Sequence, residues 1–318
     1  MPASSPSVSV VVSTYDEGRW SKLVACIDSL KRQRVPAAEV IVVVDHNASM
    51  LERAVAAFSG AKVIENTGPR GLAGARNAGI ACASGEVVAF IDDDARAEPD
   101  WLEQLQTCFD DAETVGVGGA LIPEWETGKP NWVSPEFYWV FGCSYTGLPE
   151  DLAAVRNPIG ANMAARVTVL REVGGFREGG EADSPRELRA RGVVRAAGNV
   201  PDDTDLAIRV KQQIGDAVWL YQPRARVLHS VPAERASLGY FLRRSFEEGV
   251  GKASLSRLVG SEASLASERG YVSRVLPRGL ARELGLLLRG DGAAALRIVT
   301  MIVGTGAAAV GYFSVVIR

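Results

Sequence analysis

Asp92, Asp93 and Asp94 follow directly on the apolar run Val87 to Ile91, which is bounded upstream by Ser84-Gly85-Glu86. A strand ending there delivers three carboxylates to one point, where they repel one another unless a cation shares them. Oxygen-rich clusters suit hard divalent ions such as Mg²⁺ or Mn²⁺, and magnesium-type sites join one or two carboxylates to substrate phosphates. A solvated turn with helix-capping acids is the plainer reading of three aspartates alone. A second acidic group, Asp202-Asp203-Thr204-Asp205, opens a segment with Leu206, Ile208 and Val210 at helical spacing. Such acids also serve simply as favoured first-turn residues at a helix N-terminus. His229 follows an apolar strand, and a glycine-rich stretch runs from Gly68 to Asn77.

The elements that must position these groups alternate regularly. Val8 to Ser13 is a continuous β-branched run. Trp20, Leu23, Val24, Ile27 and Leu30 recur at near-helical spacing, with Asp16 available as cap. Val40 to Val44 is a second apolar run ending in Asp45, a short helix spans Leu51 to Phe58, and a third strand covers Lys62 to Glu65. A small-residue helix to about Ala83 precedes the strand that ends at Ile91. Uninterrupted apolar strands joined by helices predict an α/β fold with a parallel sheet covered on both faces. Ligands bind such sheets beyond the C-terminal strand ends, near the point where strand order reverses. Thr14-Tyr15, Asp45 and Asp92 to Asp94 all fall at such ends.

Bulk composition narrows the classes. The chain has 318 residues, 47% hydrophobic and 23% charged, as in folded proteins. A net charge of -3 gives no reason to propose nucleic acid as partner. Cys26, Cys82, Cys108 and Cys143 lack CxxC spacing and read as reduced thiols of a cytosolic compartment. Met1 to Ser7 does not read as a secretory signal. The aromatic-rich stretch Pro123 to Pro149 fits a pocket wall, a packed cluster or an exposed surface for a partner protein. Glu178 to Gly198, with Arg186, Arg189, Arg191 and Arg195, reads as a mobile loop.

From Ile298 to Ile317 no residue is charged, and Arg297 and Arg318 bracket the stretch. About 20 residues at ~1.5 Å each span ~30 Å, the thickness of bilayer hydrocarbon. Gly304, Gly306 and Gly311 weaken its hydrophobicity, so a buried core helix is the alternative. Upstream, Leu276, Leu280, Leu284, Leu287 and Leu288 recur among Arg278, Arg282 and Arg289, the pattern of a basic helix on an anionic membrane surface. The arginines precede the apolar stretch, which places the body on the cytoplasmic face of the cell membrane, anchored by a single C-terminal helix.

In their order along the chain, these residues resemble the family 2 inverting glycosyltransferases, whose GT-A fold is Rossmann-like, a mostly parallel sheet flanked by helices. The likeness runs from Val8 to about Ala253 and carries the opening Val11-Val12-Ser13-Thr14-Tyr15, Asp45, Gly74-Ala75-Arg76-Asn77-Ala78-Gly79 and Asp92-Asp93-Asp94. Asn162, Gly174-Gly175-Phe176, Asp202-Asp203-Thr204-Asp205-Leu206 and His229 follow. The resemblance implies a nucleotide-sugar donor held partly through Mg²⁺ or Mn²⁺ on its diphosphate. Ser13 and Tyr15 would line the nucleoside, and Asp45 would accept a hydrogen bond from the base. Arg70, Arg76 and Asn77 would hold the nucleotide near ribose and phosphates. Asp92 and Asp93 would belong to the nucleotide-sugar site, while Asp94, Asp92 and His229 would take the metal. Asp203 would be the catalytic base, with Asp202 beside it where the family carries Glu. The Gln-x-x-Arg-Trp signature of processive synthases is missing; Arg243-Arg244 lies where non-processive members carry a basic helix.

Pro123-Glu124-Trp125, Gly128-Lys129-Pro130, Glu136 to Val140 and Arg156-Asn157 are similar, more narrowly, to the glucosyl-dolichyl phosphate glucuronosyltransferases. That subgroup implies a lipid-linked or glycan acceptor at a membrane and leaves UDP-glucuronate as donor open. The implied organisation is a nucleotide-sugar-binding half over 1–121, an acceptor and catalytic half over 122–236, amphipathic membrane-proximal helices over 237–296 and a transmembrane helix over 297–318. A nucleotidyltransferase would show a glycine-rich, Lys/Arg-bearing loop after the first strand, where Thr14-Tyr15-Asp16-Glu17 stands. A membrane-tethered binding module without catalysis is the third reading, and intact Asp94 and Asp203 argue against it.

Overall fold

The computed structural model describes residues 5–178 and 200–317. Among them the chain forms two compact units, one of 5–122, 149–178 and 202–229, the other centred on 123–148 and 230–317. The expected loop over 178–198 lies, apart from Glu178, outside the described residues.

The first unit opens as the sequence predicts, with β1 (Val8–Thr14), α1 (Trp20–Lys31), β2 (Glu39–Val44), α2 (Ala48–Ala57), β3 (Lys62–Glu65), α3 (Leu72–Cys82) and β4 (Val87–Asp92). β1 pairs in parallel with β2 and β4, and β2 with β3. Every residue of Val87 to Ile91 is buried, which is why the run is apolar on both faces. Asp16 accepts from the Gly18 N–H at 2.9 Å and caps a 3₁₀ turn over Glu17–Arg19; α1 starts after that turn, one step later than expected.

The later strands are β5 (Ala95–Ala97), β6 (Thr114–Trp125), β7 (Ala153–Val155), β8 (Asn162–Arg166) and β9 (Val218–Val231). The sheet order is β3-β2-β1-β4-β8-β6-β9-β5, with β7 also on β9. Here the pairing is antiparallel: β8 with β4 and β6, β9 with β5 and β7. The parallel half foreseen is thus extended into a mixed sheet. Short helices α4 (Trp101–Gln106) and α5 (Val167–Glu172) and the longer α6 (Asp202–Gln213) complete the unit.

One core joins Val11, Ile41 and Phe90 of the parallel strands to Met163, Phe176 and Leu206. Full burial of a side chain such as Phe90 contributes about 1.5–3 kcal/mol. Helix α3 is small-residue-rich because it lies hard against β1: a Cβ on Gly79 would sit 2.5 Å from Val11 Cγ1. That close approach fixes where the side chains of α3 point. Cys26, Cys108 and Cys143 are buried, and all four cysteines are free thiols.

The second unit contains α7 (Leu238–Val259), a set of short turns, α8 (Leu276–Leu288) and α9 (Ala293–Val316). The aromatic stretch resolves as a packed cluster, not an exposed patch. Phe137, Phe141 and Phe241 are each 1% exposed, with Phe137 and Phe241 centroids 5.4 Å apart. Arg282 bridges the buried Glu136 (2.7 Å) and Glu283, and Arg297 continues the chain to Glu283 and Asp291 at 2.6 Å each. Arg297, expected to flank the apolar stretch, therefore lies a turn inside α9 and is tied down by carboxylates.

Candidate active site

The β5–β9 ladder builds the centre. Ala95 pairs with His229, so the strand that begins right after the three aspartates brings an imidazole beside them. His229 Nε2 lies 3.4 Å from Asp94 Oδ1, both residues being buried. One ligand atom each from Asp92, Asp94 and His229 can be chosen so that all lie within 4.8 Å of one another. Two carboxylates and an imidazole at that spacing are a donor set that could hold a divalent cation such as Mn²⁺ or Mg²⁺.

Asp93 faces the other way. Its Oδ2 accepts from Thr14 Oγ1 at 2.7 Å and its Oδ1 from Arg19 at 2.9 Å. Arg19 also reaches Asp94 Oδ2 at 3.2 Å. Burial pushes the Asp93 carboxyl up to about 6, although Thr14 and Arg19 pull it down. Asp93 thus locks the end of β4 to the end of β1 and orients its neighbours.

Arg76 is 3% exposed and aimed inward from α3. It donates to Asp202 at 2.9 Å and to Asp92 at 3.3 Å, and its guanidinium lies 5.2 Å from the Phe176 ring centroid. The acids at the end of β4 and at the start of α6 are therefore cross-linked by one cation. Asp202, Asp203 and Asp205 all occupy the first turn of α6, where the helix dipole favours them. Burial raises the Asp202 carboxyl above its ordinary range; Arg76 opposes this and the Asp203 charge adds to it. Asp203 Oδ2 accepts from the Gly160 N–H at 3.0 Å and Oδ1 from the Thr204 N–H at 2.6 Å. Asp205 is fully buried between Arg209 (2.8 Å) and Arg177 (3.1 Å).

The other predicted residues divide in two. Ser13 and Tyr15 stand at the end of β1; Tyr15 is 55% exposed, and the Ser13 hydroxyl is buried with no hydrogen-bond partner among the described residues. Arg70 is exposed on the glycine-rich turn. Asp45 and Asn77 are engaged within the protein. Asp45 accepts from Asn66 at 2.6 Å and from the Gly71 N–H at 2.9 Å, with His46 Nδ1 at 2.9 Å. Asn77 donates to the Phe176 carbonyl and accepts from its N–H, both at 2.8 Å, so it fixes the Gly174-Gly175 turn. Asn162 accepts from Trp101 at 2.7 Å and donates to the carbonyls of Ala120 and Ala225.

Sequence reasoning passed over Arg19, Asn66 and Gly160. Asn66 had a usable signal, since it follows β3 as the other polar residues follow β1, β2 and β4. Arg19 and Gly160 carry none: their partners lie 74 and 43 residues away.

The model of the family described as glycosyl transferase family 2 matches residues 9–174. The glucosyl-dolichyl phosphate glucuronosyltransferase of Haloferax volcanii is 32% identical over 249 residues, covering 77% of this chain and 76% of that protein. The putative glycosyltransferase EpsH of Bacillus subtilis is 36% identical over 129 residues, 39% of this chain and 36% of its own length. Among solved structures, the mannosyltransferase PcManGT from Pyrobaculum calidifontis, with GDP-Man and Mn²⁺, superposes at a TM-score of 0.58 over 98% of this chain and 88% of its own, at 18% identity. GalNAc-T7 with UDP, GalNAc and Mn²⁺ gives 0.53 over 86% of this chain and 57% of its own, at 14% identity. These two likenesses show the GT-A fold alone. With a family match over half its length and a relative of this identity and coverage, the chain belongs to glycosyltransferase family 2.

Proposed function

We propose that this glycosyltransferase is metal-dependent, inverting and non-processive, and that it moves a sugar from a nucleotide-sugar to a hydroxyl of a polyprenyl- or dolichyl-phosphate-linked sugar, or of another envelope glycan. The observation that carries this reading is the pairing of two acidic groups through Arg76, the Asp92/Asp94/His229 cluster on one side and Asp202-Asp203 on the other. A donor diphosphate at the first group would present its anomeric carbon to the second. The Haloferax relative, by its name a glucuronosyltransferase acting on glucosyl-dolichyl phosphate, favours a lipid-linked acceptor and a glucuronosyl donor, which we take to be UDP-linked.

In this reading Asp92, Asp94 and His229 hold Mg²⁺ or Mn²⁺. The bound ion would offset negative charge on the donor diphosphate. Ser13, Tyr15, Asp45 and Arg70 line the nucleoside and phosphates, while Asp93, Arg76 and Asn77 set the positions of the groups around them. Asp203 takes the proton of the acceptor hydroxyl as that oxygen attacks the anomeric carbon from the face opposite the diphosphate. The new C–O bond forms as the old one breaks, and its electron pair leaves with the nucleoside diphosphate. No covalent sugar–enzyme species is needed, so configuration inverts. The 24-residue α9, long and apolar enough to cross a membrane, supports membrane attachment, and the arginines before it are the reason for placing the body on the cytoplasmic face.

Calorimetry of the full chain against UDP-, GDP- and dTDP-sugars, with and without Mn²⁺, tests this reading. Metal-dependent binding of one donor, abolished by Asp94→Ala, is the expected result. Metal-independent binding, or no binding by folded protein, would favour a non-catalytic module.

A further inference from the structure

Helix α9 has two unlike faces along its whole length. One face is packed: Thr300 Oγ1 donates to the Trp132 carbonyl at 2.8 Å, and Gly304 lies against Phe137 and Phe241. Farther on, Ala308 and Gly311 meet Gly249 and Phe246 of α7, and Arg257 of α7 donates to the Val315 carbonyl. The opposite face is bare and apolar. Leu296, Val299, Val303, Val310, Phe313 and Ile317 recur at three- and four-residue steps, with the exposed Gly306 between Val303 and Val310, and are 46–81% exposed.

The partner along the packed face is a charged helix. Helix α7 carries Arg243, Arg244, Glu247, Glu248, Lys252 and Arg257, in part as i,i+4 ion pairs at its surface. If α9 crossed the bilayer, α7 would be drawn into hydrocarbon beside it with those charges. The two observations, an apolar stripe on one side and a charged helix on the other, fit a helix lying at an interface. Helix α8 repeats the design. Pro277, Ala281, Leu284 and Leu288 share one exposed line, and Arg278, with Arg274 just before the helix and Arg289 just after it, lies on the next line, also exposed; Arg282 on that line is committed to Glu136 and Glu283. Arg278 and Arg289 have no ion pair among the described residues, so the row offers cationic charge beside apolar surface. Between the two helices runs an apolar groove lined by Val272, Leu276, Leu280, Met301 and Ile302.

We propose that α9 does not span the membrane. It lies in the plane of an anionic lipid surface, its stripe sunk about 5–10 Å beside that of α8, with the arginine row on the lipid headgroups. This rests on the membrane attachment proposed above and replaces a crossing anchor with a monotopic one. It leaves all of the described second unit on one side of the bilayer.

The test uses the full chain carrying a polar Gly-Ser-Ser-Cys extension after Arg318, in inside-out membrane vesicles from expressing cells, treated with a membrane-impermeant maleimide and compared with the parent protein. Labelling of the introduced thiol without detergent is expected. Labelling that requires detergent would show a crossing helix and overturn the inference while leaving membrane attachment intact. In parallel, purified protein is sedimented with phosphatidylcholine vesicles with and without phosphatidylglycerol. Binding should need the anionic lipid and fall roughly tenfold or more in Val303→Asp/Val310→Asp, and less in Arg278→Gln/Arg289→Gln. Unchanged binding in the stripe variant would overturn the assignment. So would a lipid-free dimer that the stripe variant abolishes, since the face would then belong to a second copy. Protein that binds donor yet stays off both kinds of membrane would sink the attachment itself and not the glycosyltransferase reading.

Discussion

Arg76 and Asp202 form a 2.9 Å ion pair across 126 residues of sequence, and the same guanidinium reaches Asp92 at 3.3 Å. One buried cation therefore sets the spacing between the acids proposed for the metal and those proposed for the base. Its second support is aromatic, with Phe176 and Phe90 on its flanks.

Arg76→Ala should consequently lower stability and activity together. Removing one partner leaves Asp92 and Asp202 facing each other without a shared cation, at a cost of roughly 2–4 kcal/mol after allowance for their partial exposure. Arg76→Lys should recover part of the stability and little of the turnover, because an ammonium cannot fork to two carboxylates. Urea denaturation read beside steady-state kinetics checks this; a stable, active Arg76→Ala would show that the pair does not set the site.

Asp203→Asn should keep donor affinity in calorimetry and lose turnover by about 10²–10⁴, the range for general-base removal. The amide has a single acceptor oxygen, so it keeps one of the two bonds from the Gly160 and Thr204 N–H groups, and a thermal melt of the variant separates lost stability from lost turnover. Asp202→Asn should be milder and act through Arg76. Equal losses in the two variants would reverse or merge their roles.

The sequence shows the parallel half well, because β1, β2 and β4 are apolar on both faces and each ends in polar residues. It also singles out the acids that the structure brings together around Arg76 and His229. What it hides is direction. Arginine in a glycine-rich stretch reads as a ligand contact, yet the close seating of Gly79 on Val11 turns α3 so that Arg76 points inward. Of the antiparallel strands, the one leading into His229 is legible, whereas β8, Asn-Met-Ala-Ala-Arg, has no period to read, and its place between β4 and β6 is set by long-range pairing. Arg297 was read from its position at the edge of an apolar run, while its partners Glu283 and Asp291 belong to the preceding helix and turn.

Asp45 gives a pH signature. Burial works to raise its carboxyl, but donation from His46, Asn66 and the Gly71 N–H outweighs that and holds it below the ordinary range. A lowered native value means the stabilisation is whole above the unfolded value of about 3.9 and is lost as pH falls through the native one. Asp45→Ala should therefore cost about 1–3 kcal/mol near neutrality, and the gap to the parent should narrow below about pH 4. Denaturation midpoints across that range decide it; a pH-independent gap would mean that Asp45 acts through packing alone.

The crossing of α7 and α9 predicts a steric limit. A Cβ on Gly249 would lie 1.9 Å from the Ala308 carbonyl oxygen, and one on Gly311 would lie 2.1 Å from that of Phe246. Both obstacles are helix backbone, so relief requires the helices to separate, and small residues are what let them touch. Gly249→Val should cost about 1–3 kcal/mol or more as overpacking. Gly306→Ala is the control, because nothing lies within 4 Å of its added carbon. If α9 is seated as described, Gly249→Val loosens it and membrane association changes while Mn²⁺-dependent donor binding in the first unit persists. Thermal melts and vesicle sedimentation of the two variants measure the difference; equal behaviour would mean that α7 and α9 are not in contact in solution.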